Sequence, residues 1–270
     1  TQSYAVVAAF LFGDLKSIKR RAAQGRELLV DRDLNAVSSG AAHNTYFRQT
    51  DEILIQMIEE KVAGMKIPSV ADVIGKVSQE GAFEFTVADI AAGDGKWLER
   101  IYRIITEKTS YGELMRQHPD LYKLKMIGID YNPEPLKLIK DRLDQAGIPN
   151  VVVQGDISKP GEFAPILAKQ GITKKVNIFV SSMLIHNREY LGVKDKEAAK
   201  RRQREGALST GAFGWRGWAI PNGELEQNLF EFFQSYNDVA DDMIVIELHT
   251  INEEVAAQNL RRTLDIAYRW

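Results

Sequence analysis

Val87-Ala88-Asp89-Ile90-Ala91-Ala92-Gly93-Asp94-Gly95 (residues 87–95) reads as a strand that ends in a turn of small residues, with a helix opening at once behind it. Small side chains from Ala91 to Gly95 let the backbone turn tightly and approach a ligand closely. The amides at the start of the following helix suit an anion. A glycine turn alone is also what a tight connection with no ligand looks like, so the neighbouring segments decide its meaning.

Outward from this turn, short apolar runs at 85–90, 125–130, 151–154, 176–181 and 243–248 alternate with amphipathic segments. The helical segments carry apolar residues three or four apart: Leu98, Ile101 and Ile105; Leu136, Ile139 and Leu143; Leu225, Leu229, Phe232 and Tyr236. Strands apolar on both faces and separated by helices call for a parallel sheet covered on both sides. Right-handed crossovers then give a doubly wound α/β fold. Residues 1–80 read instead as a helical block, with Ile53, Leu54, Met57 and Ile58 on one stripe of the helix at 51–62 and Ser69 capping another at 70–77. The chain therefore divides into residues 1–80 and residues 81–270.

Composition narrows the function classes. Of 270 residues, 44% are hydrophobic, which is too apolar for a disordered chain. With 35 Lys+Arg against 37 Asp+Glu, the charge balance argues against a protein that grips nucleic acid backbones. The absence of cysteine removes disulfides, thiolate nucleophiles and cysteine-based zinc sites, and fits a reducing, cytoplasmic compartment. The longest apolar run, residues 4–12, is far short of the ~20 residues that span a bilayer.

In a doubly wound sheet ligands sit beyond the carboxyl ends of the strands. The second strand ends in Gly128-Ile129-Asp130-Tyr131-Asn132, and the third in Gln154-Gly155-Asp156-Ile157. An acid at the second tip can accept both hydroxyls of a ribose. One at the third tip, with the following backbone N–H, suits the exocyclic amine and ring nitrogen of an adenine. Each acid alone is more often a solvated strand end, but here three features fall on three consecutive tips.

On these residues the chain resembles the class I S-adenosylmethionine-dependent methyltransferases, over about residues 84–248. The resemblance implies that Asp89, Ala91, Gly93 and Gly95 line the methionine and ribose part of the donor. It also implies that Asp130 and Tyr131 hold the ribose side, and that Asp156 and Ile157 hold the adenine. Ala91 stands where the family has its first glycine. The stretch from Gly95 to Asp130 is long for the family, and residues 109–124 look like an insertion. NAD is the rival cofactor, but the order G-x-G-x-x-G is absent. The resemblance further implies that the N-terminal helices form a lid, with Tyr46 and Arg48 against the donor carboxylate or the acceptor.

The donor sulfonium is already activated, so the protein must align it and, for a weakly acidic acceptor, supply a base. Topology places two of the four histidines, His186 and His249, on the rim at the fourth and fifth strand ends. A histidine there can simply hydrogen-bond a loop. It can also act as base, or both can help hold a divalent metal (Mn, Fe or Mg) with a third ligand such as Gln258, Asn259, Glu247 or Asp156. Residues 211–223 set Phe213, Trp215 and Trp218 among glycines, either as loop anchors or as a wall over the acceptor. Residues 194–204 hold six basic and two acidic side chains, read either as a solvated helix face or as a dock for an acidic partner; residues 16–26 form a second basic patch.

From about residue 177 onward the chain also resembles, more weakly, the carbon-methyltransferase domains of polyketide synthase loading modules. That resemblance implies an acyl-carrier-bound malonyl or β-ketoacyl acceptor methylated at its α carbon, with His186 and His249 in the activating roles. Rival readings are an oxygen or nitrogen methyltransferase of a free small molecule, and a donor-binding scaffold without catalysis. Partners expected are an acyl carrier protein or neighbouring synthase domains, with neither nucleic acid nor membrane. The class I sheet closes with an antiparallel hairpin for which residues 251–270 leave too little chain. With no initiator methionine, the expectation is a piece of a larger synthase.

Overall fold

A computed structural model describes residues 44–65, 83–208, 213–215 and 217–247. Its elements, in chain order, are α1 (Asn44–Gln49), α2 (Asp51–Gly64), β1 (Phe83–Ile90), α3 (Lys96–Lys108), α4 (Ser110–Gln117), β2 (Tyr122–Asp130), α5 (Pro133–Gln145), β3 (Asn150–Gln154), α6 (Phe163–Ala168), β4 (Val176–Ser182), α7 (Lys196–Glu205), β5 (Phe213–Trp215), β6 (Trp218–Ile220), α8 (Asn222–Gln234) and β7 (Ala240–Ile246). The main sheet has five strands in the order β3-β2-β1-β4-β7, all parallel, as the alternation of strands and helices predicts. The chain reverses direction across the sheet beside β1, so the switch point falls at the glycine turn.

Period-two alternation along the strands assigns two apolar layers. Phe85 and Val87 of β1, Leu124 and Met126 of β2, and Ile178 and Val180 of β4 share one layer with α2, α3 and α5. Ala88, Ile90, Ile127, Ile129 and Phe179 face the other, where Phe163, Leu167, Phe232 and Tyr236 cover them. The described part of the N-terminal block joins the first layer: Leu54, Ile58 and Val62 of α2 are buried, and Phe47 stacks on Trp97 at 4.7 Å. Asp51 accepts from Arg100 Nε at 2.9 Å, and Lys61 reaches Asp242 of β7 at 2.5 Å.

Several local expectations need correction. Residues 109–124 hold α4 and the first residues of β2, which starts at Tyr122, three residues before its apolar run becomes evident. Tyr111 of α4 is fully buried, and its hydroxyl donates between the Phe83 and Lys123 carbonyls at 3.2 and 2.8 Å, tying the starts of β1 and β2. The fifth parallel strand is shifted to Ala240–Ile246, from the expected 243–248. Ile53 is 53% exposed, because the buried stripe of α2 lies one position further round. Leu229 of α8 is likewise exposed. Among the described residues no helix is long and apolar enough to cross a membrane. The expected 70–77 helix, the 16–26 basic patch and the chain after Glu247 lie outside the described residues.

Candidate active site

The turn after β1 is held open by strained backbone. Ala91 adopts φ 57°, a left-handed conformation that costs a non-glycine residue about 1–2 kcal/mol. The Ala91 and Ala92 amides both donate to the Ile129 carbonyl, at 2.7 and 3.3 Å, which fixes the turn against the end of β2. Gly95 has φ 76°, and a Cβ there would stand 3.2 Å from the Ile139 Cα, so glycine lets the start of α3 press on α5. The start of α3, expected to be open to an anion, is partly capped from within. Asp94 Oδ1 accepts from the Lys96 amide at 3.2 Å, and the same carboxylate pairs with Lys96 Nζ at 2.9 Å. Arg142 of α5 donates to the Asp94 carbonyl at 2.6 Å. Asp94 and Arg142 thus shape the turn, and no spacing rule in the sequence marks either one.

Asp89 and Asp130 lie on the same face of adjacent strands. Asp89 is in register with Gly128, and Asp130 follows two residues later. Both are nearly inaccessible, at 2% and 6%. Asp130 Oδ1 accepts from the Asn132 amide at 2.9 Å. Asp89 Oδ1 is buried with no hydrogen-bond partner. Burial first, and then the Asp130 carboxylate, push the Asp89 carboxyl well above the usual carboxylate range. An ionised carboxylate in such a place calls for a cationic or donor group from a ligand, since an unsatisfied buried charge is costly.

The tip of β3 comes to the same rim, where the Gly155 amide donates to the Asp130 carbonyl at 3.0 Å. A Cβ at Gly155 would lie 2.7 Å from the Phe163 ring. Asp156 Oδ1 accepts from the Ser158 amide at 2.9 Å, and Ile157 is buried. Asp156 also faces the Tyr236 hydroxyl, whose ionisation burial and that carboxylate both oppose. The Tyr131 ring is 39% exposed at the end of β2. The structure therefore brings Asp89, Ala91, Gly93, Gly95, Asp130, Tyr131, Asp156 and Ile157 to three adjacent strand ends.

His186 lies on the segment leaving β4. Its Nδ1 is 2.7 Å from Glu247 Oε1, and its backbone N–H donates to Glu247 Oε2 at 3.3 Å. Glu247 follows β7 directly, so the pairing of β4 with β7 creates this dyad. An ionised carboxylate only accepts, so against Glu247 the His186 Nδ1 is the donor. Glu247, one of the expected options for a metal ligand, here orients His186. Among the described residues no group of three or more His, Cys, Asp or Glu side chains is arranged to hold a metal. His249 and Gln258 lie outside the described residues, so the metal reading gains no ligand set here, and no step is assigned to a metal.

Residues 84–270 match a family model described as the AprA MT2-like domain. The chain belongs to that family. It is accordingly an S-adenosylmethionine-dependent methyltransferase of class I architecture, and the partnerless buried Asp89 oxygen between the glycine turn and Asp130 fits a polar, positively charged donor. No curated protein matches the chain. Among solved structures, one described as an S-adenosylmethionine-dependent methyltransferase from Methanococcus maripaludis is 11% identical, with TM-score 0.37, over 87% of this chain and 74% of that one. Loganic acid methyltransferase with S-adenosylhomocysteine is 11% identical, with TM-score 0.43, over 78% of this chain and 55% of that one. A methyltransferase from Clostridium acetobutylicum is 12% identical, with TM-score 0.28, over 76% and 56%. The chain thus spans between about half and three quarters of these structures. The family match carries the assignment.

The Asp89 carboxyl makes a double prediction. Its folded pKa lies above the unfolded value of about 3.9, so its contribution favours folding in acid and is lost as pH rises through the folded pKa. Asp89→Asn is expected to raise the melting temperature of the ligand-free protein at neutral pH, with the gain closing as pH falls towards about 4. The same variant is expected to weaken donor binding about tenfold, the loss of one charge-assisted hydrogen bond. Melting curves across pH and titration calorimetry read the two effects separately.

Proposed function

We propose that this methyltransferase acts on carbon, at the α position of a malonyl or β-ketoacyl thioester carried by an acyl carrier protein. The observation that supports this most is the His186–Glu247 dyad at the rim where an acceptor must meet the donor methyl. An α carbon between a thioester and a ketone is acidic enough for a neutral imidazole to deprotonate, and a malonyl α carbon, beside an ionised carboxylate, depends still more on a positioned base, whereas an amine acceptor needs none. Bound donor supplies an activated methyl group on a sulfonium. Asp130 would hold its ribose hydroxyls, Asp156 its adenine amine, and Asp89 with the glycine turn its methionine end. His186 Nε2 takes the α proton while Glu247 stabilises the resulting imidazolium. The enolate carbon then bonds the methyl as the carbon–sulfur bond breaks, and the thioether S-adenosylhomocysteine leaves.

Two further features support a carrier-bound acceptor. On α7 and the turn before it, Lys194, Lys196, Lys200, Arg201 and Arg204 are exposed, a face suited to an acidic protein partner. The β5–β6 hairpin carries Trp218, 78% exposed, and Trp215, whose ring meets Tyr190 edge-on at 6.1 Å. The direct test incubates the chain with donor and malonyl- or acetoacetyl-carrier protein and reads the intact carrier by mass spectrometry. One methyl added to the acyl group is expected. Methylation of free small molecules alone, or donor binding without turnover on any acceptor, would sink the carrier reading.

A further inference from the structure

The Asp89 and Asp130 carboxyls stand on one face of the sheet at adjacent strand ends, both nearly inaccessible, but they are not equivalent. Asp130 Oδ1 accepts from the Asn132 amide at 2.9 Å, whereas Asp89 Oδ1 is buried with no hydrogen-bond partner. The cations on the elements around β1 are engaged elsewhere. The turn after β1 brings Asp94, whose carboxylate is paired with Lys96 Nζ. Arg142 of α5 donates to the Asp94 carbonyl and to Glu99, Arg100 of α3 to Asp51, and Lys61 of α2 pairs with Asp242. On the other side of β1, β4 sets the uncharged Val180 in register with Asp89. Among the described residues the one charged group that acts on Asp89 is Asp130, and it opposes ionisation.

Desolvation and like charge together drive a proton onto one member of such a pair. The Asn132 amide stabilises charge on Asp130, so the proton belongs to Asp89. A neutral carboxyl with a partnerless oxygen costs one unmade hydrogen bond, where a second buried charge would cost far more. What the pair lacks is a cation. The methionine end of the donor, assigned above to the glycine turn and Asp89, carries an ammonium group that supplies one.

We propose that Asp89 is protonated in the ligand-free protein and releases that proton to solvent when the donor's ammonium group docks beside it. The proposal rests on the placement of the methionine end at this turn and is independent of the acceptor. Donor binding then strengthens as pH rises, by up to about tenfold per pH unit while Asp89 of the free protein holds its proton. S-adenosylhomocysteine and methylthioadenosine separate the parts, since both carry adenine and ribose but only the first carries the ammonium. Titration calorimetry on the full chain in buffers of different ionisation enthalpy counts the protons released per ligand bound. At about pH 6 the ligand's amino group is already protonated and contributes nothing to that count. Wild type is expected to release between about half and one proton with S-adenosylhomocysteine, and none with methylthioadenosine. Asp89→Asn, which has no proton to lose, is expected to release none with either ligand, and its affinity should no longer vary with pH. The comparison of ligands in wild type stands without the variant. Release below about a third of a proton in wild type, equal release with both ligands, or release that persists in Asp89→Asn overturns the assignment. Equal affinity of wild type for the two ligands would remove the methionine end from this turn, and the proposal with it.

Discussion

Replacing Asp130 by alanine is expected to weaken S-adenosylmethionine binding about 100-fold or more, the loss of two hydrogen bonds to one charged group at about 1.5–3 kcal/mol each. The Asp130 carboxylate is 6% exposed and lies on the same sheet face as Asp89 of the adjacent strand, where it opposes the ionisation of Asp89. One of its oxygens already accepts from the Asn132 amide at 2.9 Å, which fixes the turn into α5. Alanine would therefore disturb that turn as well as the ligand contact. Asp130→Asn separates the two effects: the amide oxygen still accepts from Asn132 while the charge and one acceptor are lost. Calorimetry is expected to give a smaller but still at least tenfold loss for Asn. An affinity within threefold of wild type for both variants would remove Asp130 from the donor site.

The sheet was legible because burial on both faces leaves a strong trace. The fully buried Val87 and Ala88 of β1 point to opposite layers, so neither face of that strand tolerates a polar run. The strand tips were legible for a related reason: an acid directly after a buried strand is a sharp break in composition. Helix α8 was less so. Its buried residues include Gln227 and Asn228, because α7 packs on it at Gly223, where a Cβ would meet the Gln203 amide nitrogen at 2.4 Å. Such a polar interface is satisfied by specific bonds: Arg202 Nε to Gln227 Oε1 at 2.8 Å, and Asn228 to the Gly192 carbonyl. Apolar periodicity has no means of seeing it, and so it assigned Leu229 to the core. The same limit hid α4, whose one large buried side chain, Tyr111, lies in an otherwise polar sequence.

The dyad illustrates the opposite case, in which each residue was visible and their relation was not. His186 and Glu247 are 61 residues apart, and only the pairing of β4 with β7 makes them neighbours. Their arrangement predicts the largest kinetic effect. His186→Ala is expected to lower kcat on malonyl-carrier protein by about 10²–10⁴, the usual contribution of a positioned base. Donor affinity should stay within about threefold, since no donor-binding group is touched. Glu247→Gln tests positioning separately. The amide can present its NH2 to Nδ1 and so favour the tautomer with its proton on Nε2, where the base must be vacant. A loss approaching that of His186→Ala is expected, carried by kcat and not by the acceptor KM. The His186 side chain is 42% exposed, so the charge attraction within the pair is screened by solvent and its value is mainly orientation. Single-turnover rates with saturating donor measure the chemical step directly. If both variants turn over at wild-type rates, the proton is removed elsewhere, and the dyad only pins the segment leaving β4 to the end of β7.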